Sequence, residues 1–419
     1  MLQFFRKYPA LLVFGVLTAA FSSPGQTFLA SLFIPSMRRS LDMSPTEIAG
    51  LFAAATLLSS VLLPIMGHVF DRSPLWTFTL VTGILLAAGC AMLGLAWNAV
   101  TVLLGFLLIR NLGQGTMVLI SSTTMARIFG PMRGKALGIT NLGFPLGEMI
   151  FPVSVSAIIA ASGWRMGWHV LAGLLLFVYL PAVYFLLRRD THKRIQKEIA
   201  LKVEREEAAS GRILREDDWT LRAALKDWRF YALILPVLTP AAFFTALFFH
   251  QADLLKLKGW DPAQFALGLT FYGFTRAMAS FAAGPMVDRW TAVKTYPLNL
   301  IPVMIGLCIF LFARGQAWIF GYLGFCGVTM GLAMTIGTAV YAELYGVRDL
   351  GAIRGFLSSI ISFSTAVAPV ILGHFLDQKV PLNVILAVMI GLSVLGTLCS
   401  LAVAKAPGKK PRSAAPGAL

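Results

Sequence analysis

Apolar runs of roughly twenty residues recur along the whole 419-residue chain, each long enough to cross about 30 Å of hydrocarbon as a helix. Short polar interruptions separate them, and no run shows the alternation over about ten residues that marks a membrane strand. The pattern predicts twelve helices. Six lie at 9–35, 46–70, 77–97, 100–127, 135–161 and 166–187, and six at 230–254, 263–287, 295–313, 316–344, 354–377 and 380–404. One stretch, 188–229, breaks the rhythm with twelve basic and nine acidic residues. The chain therefore divides into an N-terminal six-helix bundle (1–187), a cytoplasmic linker (188–229), a C-terminal six-helix bundle (230–405) and a tail (406–419) rich in Pro, Gly, Ala and Lys, expected to be disordered. The expected fold class is all-α and integral to the membrane.

Composition agrees. The chain is 57% hydrophobic and 13% charged, where soluble domains carry about 25% charged residues, and its mean hydropathy is +0.76. The net charge of +16 follows position. With a cytoplasmic N-terminus, 26 of the 35 Lys and Arg fall in cytoplasmic segments and seven in external loops. This bias places both termini in the cytoplasm of a bacterial-type inner membrane and argues against nucleic acid as a partner. The basic start and apolar stretch of residues 1–35 imitate a signal peptide, but no clear small-residue cleavage site follows, so the segment reads as an uncleaved helix. Cys90, Cys308, Cys326 and Cys399 lie inside spans without ligand spacing and read as packing residues. In the linker, 193–209 is expected to be helical, and Trp219, Leu221, Leu225 and Trp228 offer an interfacial apolar side. A solvated connection is the simpler reading of that segment.

Two strings repeat. Gly67-His68-Val69-Phe70-Asp71-Arg72 and Gly284-Pro285-Met286-Val287-Asp288-Arg289 both read G-x-x-x-D-R, 217 positions apart. Arg133-Gly134 and Arg354-Gly355 stand 221 apart, each beside a predicted span. Matching offsets near half the chain length indicate internal duplication, a common plan of secondary transporters. On these residues the chain resembles the major facilitator superfamily, whose loop between helices 2 and 3 reads G-x-x-x-D-R-x-G-R-R. Gly67, Asp71 and Arg72 match it, whereas Pro74, Leu75 and Trp76 depart from its later residues. The resemblance implies two pseudo-symmetric six-helix bundles that alternate between inward- and outward-open states. Gly67, Asp71, Arg72, Gly284, Asp288, Arg289, Arg133 and Arg354 are then candidates for a conformational latch. In such a latch the glycines permit close helix approach, Asp faces a positive helix end, and Arg bridges to carboxylates or carbonyls.

Ionisable residues deep in a span need a reason, since Arg at a helix centre costs roughly 2.5–3.5 kcal/mol on insertion. Arg110, Glu148 and Arg276 fall near the midplane of their spans. Arg110-Asn111-Leu112-Gly113-Gln114-Gly115 resembles the superfamily's helix-4 motif R-x-x-x-G-x-G, associated with proton coupling, with its glycines shifted by one. Equal depth predicts that Arg110 pairs with Glu148 on the next helix, either as a structural ion pair or as a protonatable switch. Arg276 has no acidic residue within its own span, and Phe271-Tyr272-Gly273-Phe274-Thr275 precede it. A guanidinium so placed suits a carboxylate. This resembles the monocarboxylate transporter and oxalate–formate antiporter branch, where a helix-8 arginine binds substrate; Tyr272 stands where that branch carries a proton-bearing Asp. The candidate substrate residues are Arg276, Tyr272, Phe274 and Gln26, the last because Ser22-Ser23-Pro24-Gly25-Gln26 interrupts helix 1. His250, near the end of helix 7, is a candidate gate, proton relay or polar cap, while Asp253, Glu343 and Asp377 sit at helix ends where solvated or capping roles suffice.

No G-x-x-x-x-G-K-[ST] loop is present, so neither ATP-driven transport nor an enzyme is expected, and no cofactor or metal. The expected function is secondary transport of a small organic anion, a monocarboxylate first, by a monomer in the bilayer, coupled to protons or to a counter-anion. The alternatives are a drug or amphiphile efflux antiporter that uses Glu148 and aromatic walls, and a membrane receptor that binds without transport.

Overall fold

The computed structural model describes residues 8–129, 133–187, 219–346 and 350–406, and every regular element among them is helical. The linker over 188–218, the tail from 407 and the side chains of Asp71, Asp288, Arg133 and Arg354 lie outside the described residues. In chain order the helices are α1 (Pro9–Ala20), α2 (Thr27–Leu41), α3 (Pro45–Arg72), α4 (Leu75–Gly94), α5 (Ala99–Leu108), α6 (Val118–Phe129), α7 (Arg133–Thr140), α8 (Gly143–Leu174) and α9 (Leu180–Leu187). They continue with α10 (Leu221–Ala224), α11 (Trp228–Phe249), α12 (Gln251–Lys258), α13 (Pro262–Trp290), α14 (Ala292–Thr295), α15 (Ile301–Phe312), α16 (Trp318–Tyr345), α17 (Leu350–Asp377) and α18 (Leu382–Lys405).

Local chemistry sets the boundaries. The Ser44 hydroxyl accepts from the Glu47 N–H and the Glu47 carboxylate accepts from the Ser44 N–H, a reciprocal cap with Pro45 at the first helical position of α3. Gly259 takes a left-handed conformation (φ 68°) to end α12. The predicted interruption of the first span is real: a 3₁₀ turn at Ser23–Gly25 separates α1 from α2. The fourth span is modified in the same layer, with wider π-helical turns at Ile109–Met117 between α5 and α6.

Ten helical runs among the described residues are long and apolar enough to span a membrane, against the twelve expected. The difference has two sources. Ala136–Leu187 runs on for 52 residues where two spans were expected, turned midway at Gly163 (φ 82°, ψ 165°). The Pro262–Trp290 helix is long enough but more polar, with Arg276 in its middle. Large apolar side chains stand on the outside, Phe177 at 80% and Phe312 at 76% exposure, as lipid contact requires.

Spatial contact groups the chain into two units. One comprises Met1–Gly211, Thr245–Phe274 and Thr365–Val380; the other Arg212–Phe244, Thr275–Ser364 and Pro381–Leu419. In the second, Phe230, Leu233, Tyr341, Tyr345 and Ile353 form a core against which Trp219, Leu221 and Leu225 pack. Those three side chains, read as an interfacial apolar side or as part of a solvated connection, are instead packed against protein. The Trp219 N–H donates to the Tyr345 carbonyl (3.0 Å) and its ring meets the Tyr345 ring edge-on at 5.5 Å. Trp228 alone of the four is largely exposed.

Candidate functional site

Arg110 sits on the π-helical turns, buried to 2% exposure. Its Nε donates to Thr56 Oγ1 (3.0 Å). Its Nη1 donates to the Gly25 carbonyl (3.0 Å) and to Thr27 Oγ1 (3.4 Å), and the guanidinium lies 4.6 Å from the centre of the Phe52 ring. The helix-1 break makes this possible, because the Leu29 and Ala30 N–H groups turn to the Gln26 carbonyl and leave that of Gly25 to the arginine. Two glycines bring the backbones together. A Cβ on Gly25 would lie 2.2 Å from the Ile109 carbonyl oxygen and 2.8 Å from Gly113 Cα.

The expected Arg110–Glu148 pair is not formed. Arg110 reaches α2, α3 and the helix-1 break, which offer a carbonyl and two hydroxyls at closer range. Glu148 is buried at 3% exposure on α8, on a surface of close backbone contacts. Cβ atoms on Gly143 and Gly147 would strike the Val16 carbonyl oxygen at 2.2 Å and Ser23 Oγ at 2.3 Å. This small-x-x-x-small pair seats α8 on the first span. Across the helix, Gly273 packs over Met149, the Pro145 carbonyl and Glu148 Cβ, and Thr270 Oγ1 donates to the Met149 carbonyl (2.9 Å). Gln26, half-buried, donates to Ser22 Oγ (3.3 Å).

Arg276 belongs to the second unit. Its Nη2 lies 3.8 Å from Met334 Sδ on α16. Gly331 allows the approach, since a Cβ there would sit 2.4 Å from the Arg276 carbonyl oxygen, and Ser280 Oγ donates to the Gly331 carbonyl (3.2 Å). Tyr272, one turn before Arg276, shares its helix face and is buried against Phe248 at 5.4 Å. Phe274 does not share that face. It is 48% exposed and stacks on Phe271, because two residues along a helix turn a side chain by about 200°.

Among the described residues, the signature glycines meet no close neighbour. The nearest described atom to a Cβ on Gly67 is Leu119 Cδ2 at 3.9 Å, and Gly284 has none among the described residues within 4 Å. Arg72 and Arg289 are exposed. After the second string, a carboxylate at a helix start comes from Glu343, which accepts from the N–H groups of Ala292 (2.6 Å) and Val293 (3.4 Å).

His250 occupies the break between α11 and α12. Its Nε2 lies 2.8 Å from the Pro369 carbonyl oxygen and its Nδ1 3.7 Å from Asp253 Oδ2. Arg38 Nη1 donates to both Asp253 oxygens (2.9 and 2.7 Å), and Thr46 donates to Asp377. The Arg38–Asp253 pair escaped the sequence reading because its members are 215 positions apart; the available signal was Asp253 three residues after His250.

Comparison with known proteins fits this architecture. The galacturonate transporter of Dickeya chrysanthemi is 26% identical over 294 residues, 65% of this chain and 84% of that protein. The hexuronate transporter of Bacillus subtilis is 19% identical over 385 residues, 88% of each chain, and the fujikurins efflux protein of Gibberella fujikuroi is 23% identical over 403 residues, 90% and 79%. The crystal structure of the nucleoside transporter NupG superposes with a TM-score of 0.66 at 13% identity, covering 96% of this chain and 99% of that one. The Major Facilitator Superfamily model matches residues 16–258 and 251–418, so the chain, a multi-pass membrane transporter and not an enzyme, belongs to that family.

Proposed function

We propose that the protein is a secondary active transporter of small organic acids bearing one carboxylate, working by alternating access with proton coupling or anion exchange. The observation that carries the reading is Arg276, a half-buried guanidinium in the middle of a long, mostly apolar helix, where a fixed charge needs a reason. A carboxylate takes two parallel N–H bonds from such a fork. The relatives named for galacturonate and hexuronate support a sugar acid, which carries one carboxylate. Tyr272 and Gln26 add polar contacts on this reading, and Arg110 and Glu148 bias the conformational change. The basic bias of alternate loops supports an inner-membrane location with both termini cytoplasmic.

The test is uptake of radiolabelled galacturonate into proteoliposomes. Arg276→Ala is expected to lower uptake about a hundredfold, the equivalent of a charged hydrogen-bonded contact worth about 3 kcal/mol, and Arg276→Lys to restore part of it. Unchanged uptake by folded Arg276→Ala would sink the reading. The relative named for fujikurins efflux favours a second reading, export of an amphiphile. That reading predicts compound export sensitive to Glu148→Gln and indifferent to Arg276.

A further inference from the structure

We propose that His250 is a proton-binding site that fastens the last turn of helix 1 to helices 7 and 11, so that gaining or losing one proton there sets whether this end of the protein is held shut. The inference deepens the transport reading and rests on it only for the link to substrate movement.

The geometry fixes the tautomer. The Pro369 carbonyl can only accept, so the Nε2 at 2.8 Å from it must carry a hydrogen. In the neutral ring Nδ1 is then a bare acceptor. It is buried without a hydrogen-bond partner and faces a carboxylate oxygen at 3.7 Å. Two acceptors confront each other inside protein, an unfavourable arrangement. A proton on Nδ1 turns the confrontation into a donor facing an anion. The imidazolium, Asp253 and Arg38 then form one charge-assisted chain from α2 through α12 to α17.

The surroundings are built for the ring. His250 is 1% exposed, and Gly373 on α17 makes room for it, since a Cβ there would lie 3.2 Å from Cε1 and Nε2. The charged groups facing His250 are few. On its own side stands Asp253, with Arg38 of α2 behind it. From α17 come the Pro369 carbonyl and Gly373; its titratable residues His374 and Asp377 lie further along, Asp377 bonded by Thr46. From α3 come the Pro45 carbonyl beside Gly373 and Phe52 against Phe249, while Glu47 is turned back to cap Ser44.

The test measures the distance between spin labels at Arg39→Cys and Lys256→Cys, both exposed, in protein whose four native cysteines are replaced by Ala, from about pH 5 to about pH 8, the range in which His titrates. The share of the longer distance is expected to rise severalfold as pH rises. His250→Gln, which keeps a donor for Pro369 and takes no proton, should flatten the profile, and so should Asp253→Asn if the glutamine variant does not fold. The pH profile of galacturonate counterflow in protein with native cysteines supplies the same comparison. An undiminished pH response in His250→Gln, or a flat profile in the parent, overturns the proposal. A His250-dependent distance change without any anion transport would instead strike the transport reading.

Discussion

Replacing Gly25 by Ala tests whether the crossing of helix 1 and helix 4 is set by backbone contact. The added methyl would lie 2.2 Å from the Ile109 carbonyl oxygen and 2.5 Å from the Gln114 nitrogen. Both are main-chain atoms, so no rotamer change relieves the clash, and the segments must part by about 1 Å to reach ordinary contact. Overpacking of this kind costs about 1–3 kcal/mol. Parting also stretches the Arg110–Gly25 bond from 3.0 Å, and losing a buried charged hydrogen bond adds about 1.5–3 kcal/mol. The two effects share atoms and are not additive, so about 3 kcal/mol is expected, a hundredfold shift in the folding equilibrium. The assay is thermal unfolding of detergent-purified protein, read beside Gly67→Ala and Gly284→Ala. Those signature positions have room for a methyl and should be neutral or gain up to about 1 kcal/mol from better helix propensity. A Gly25→Ala protein as stable as the parent, or a Gly67→Ala protein that is the less stable of the two, refutes the reasoning.

Thr56→Val removes the acceptor of Arg110 Nε at nearly constant shape and is expected to cost about 1–3 kcal/mol in thermal unfolding, with Thr56→Ser close to the parent. Trp219→Ala removes a ring packed on Tyr345 and standing over Arg229; trypsin should then cut at the exposed Arg222 and Lys226 several times faster, seen by gel. For Asp253, burial pushes the carboxyl up, but the adjoining His250 ring and the Arg38 guanidinium, which donates to both its oxygens, outweigh it and hold it below the ordinary value. A lowered carboxyl stabilises the fold above its ordinary pKa and loses that contribution as pH falls through the lowered value, so unfolding scans below about pH 4 should show an acid-induced loss that is smaller in Asp253→Asn.

Much of the architecture was legible because lipid imposes a simple rule: apolar runs of one length become helices. The helix-1 break followed from Pro24 and Gly25, whereas the place of Glu343 at a helix end allowed solvation or capping and did not show that it caps a different helix. Partner choice was not legible. Arg110 bonds to residues 54 and 85 positions away, and equal depth in adjacent spans pointed to Glu148 instead. The π-helical turns that carry Arg110 leave no mark in apolar periodicity. Phe274 was a failure of a different kind, since helical period alone separates its face from that of Arg276. The packing of Trp219 and Leu221 was not legible either, because amphipathic spacing cannot say whether lipid, water or protein covers such a side.

Where Gly25 meets Gly113, no side chain intervenes, so the depth of Arg110 is gauged by main chain alone. Drift in the surrounding apolar residues leaves that gauge unaltered. A protein engineer could therefore recast the walls around Arg110 for a differently shaped cargo while the guanidinium keeps its height, provided the two glycines stay.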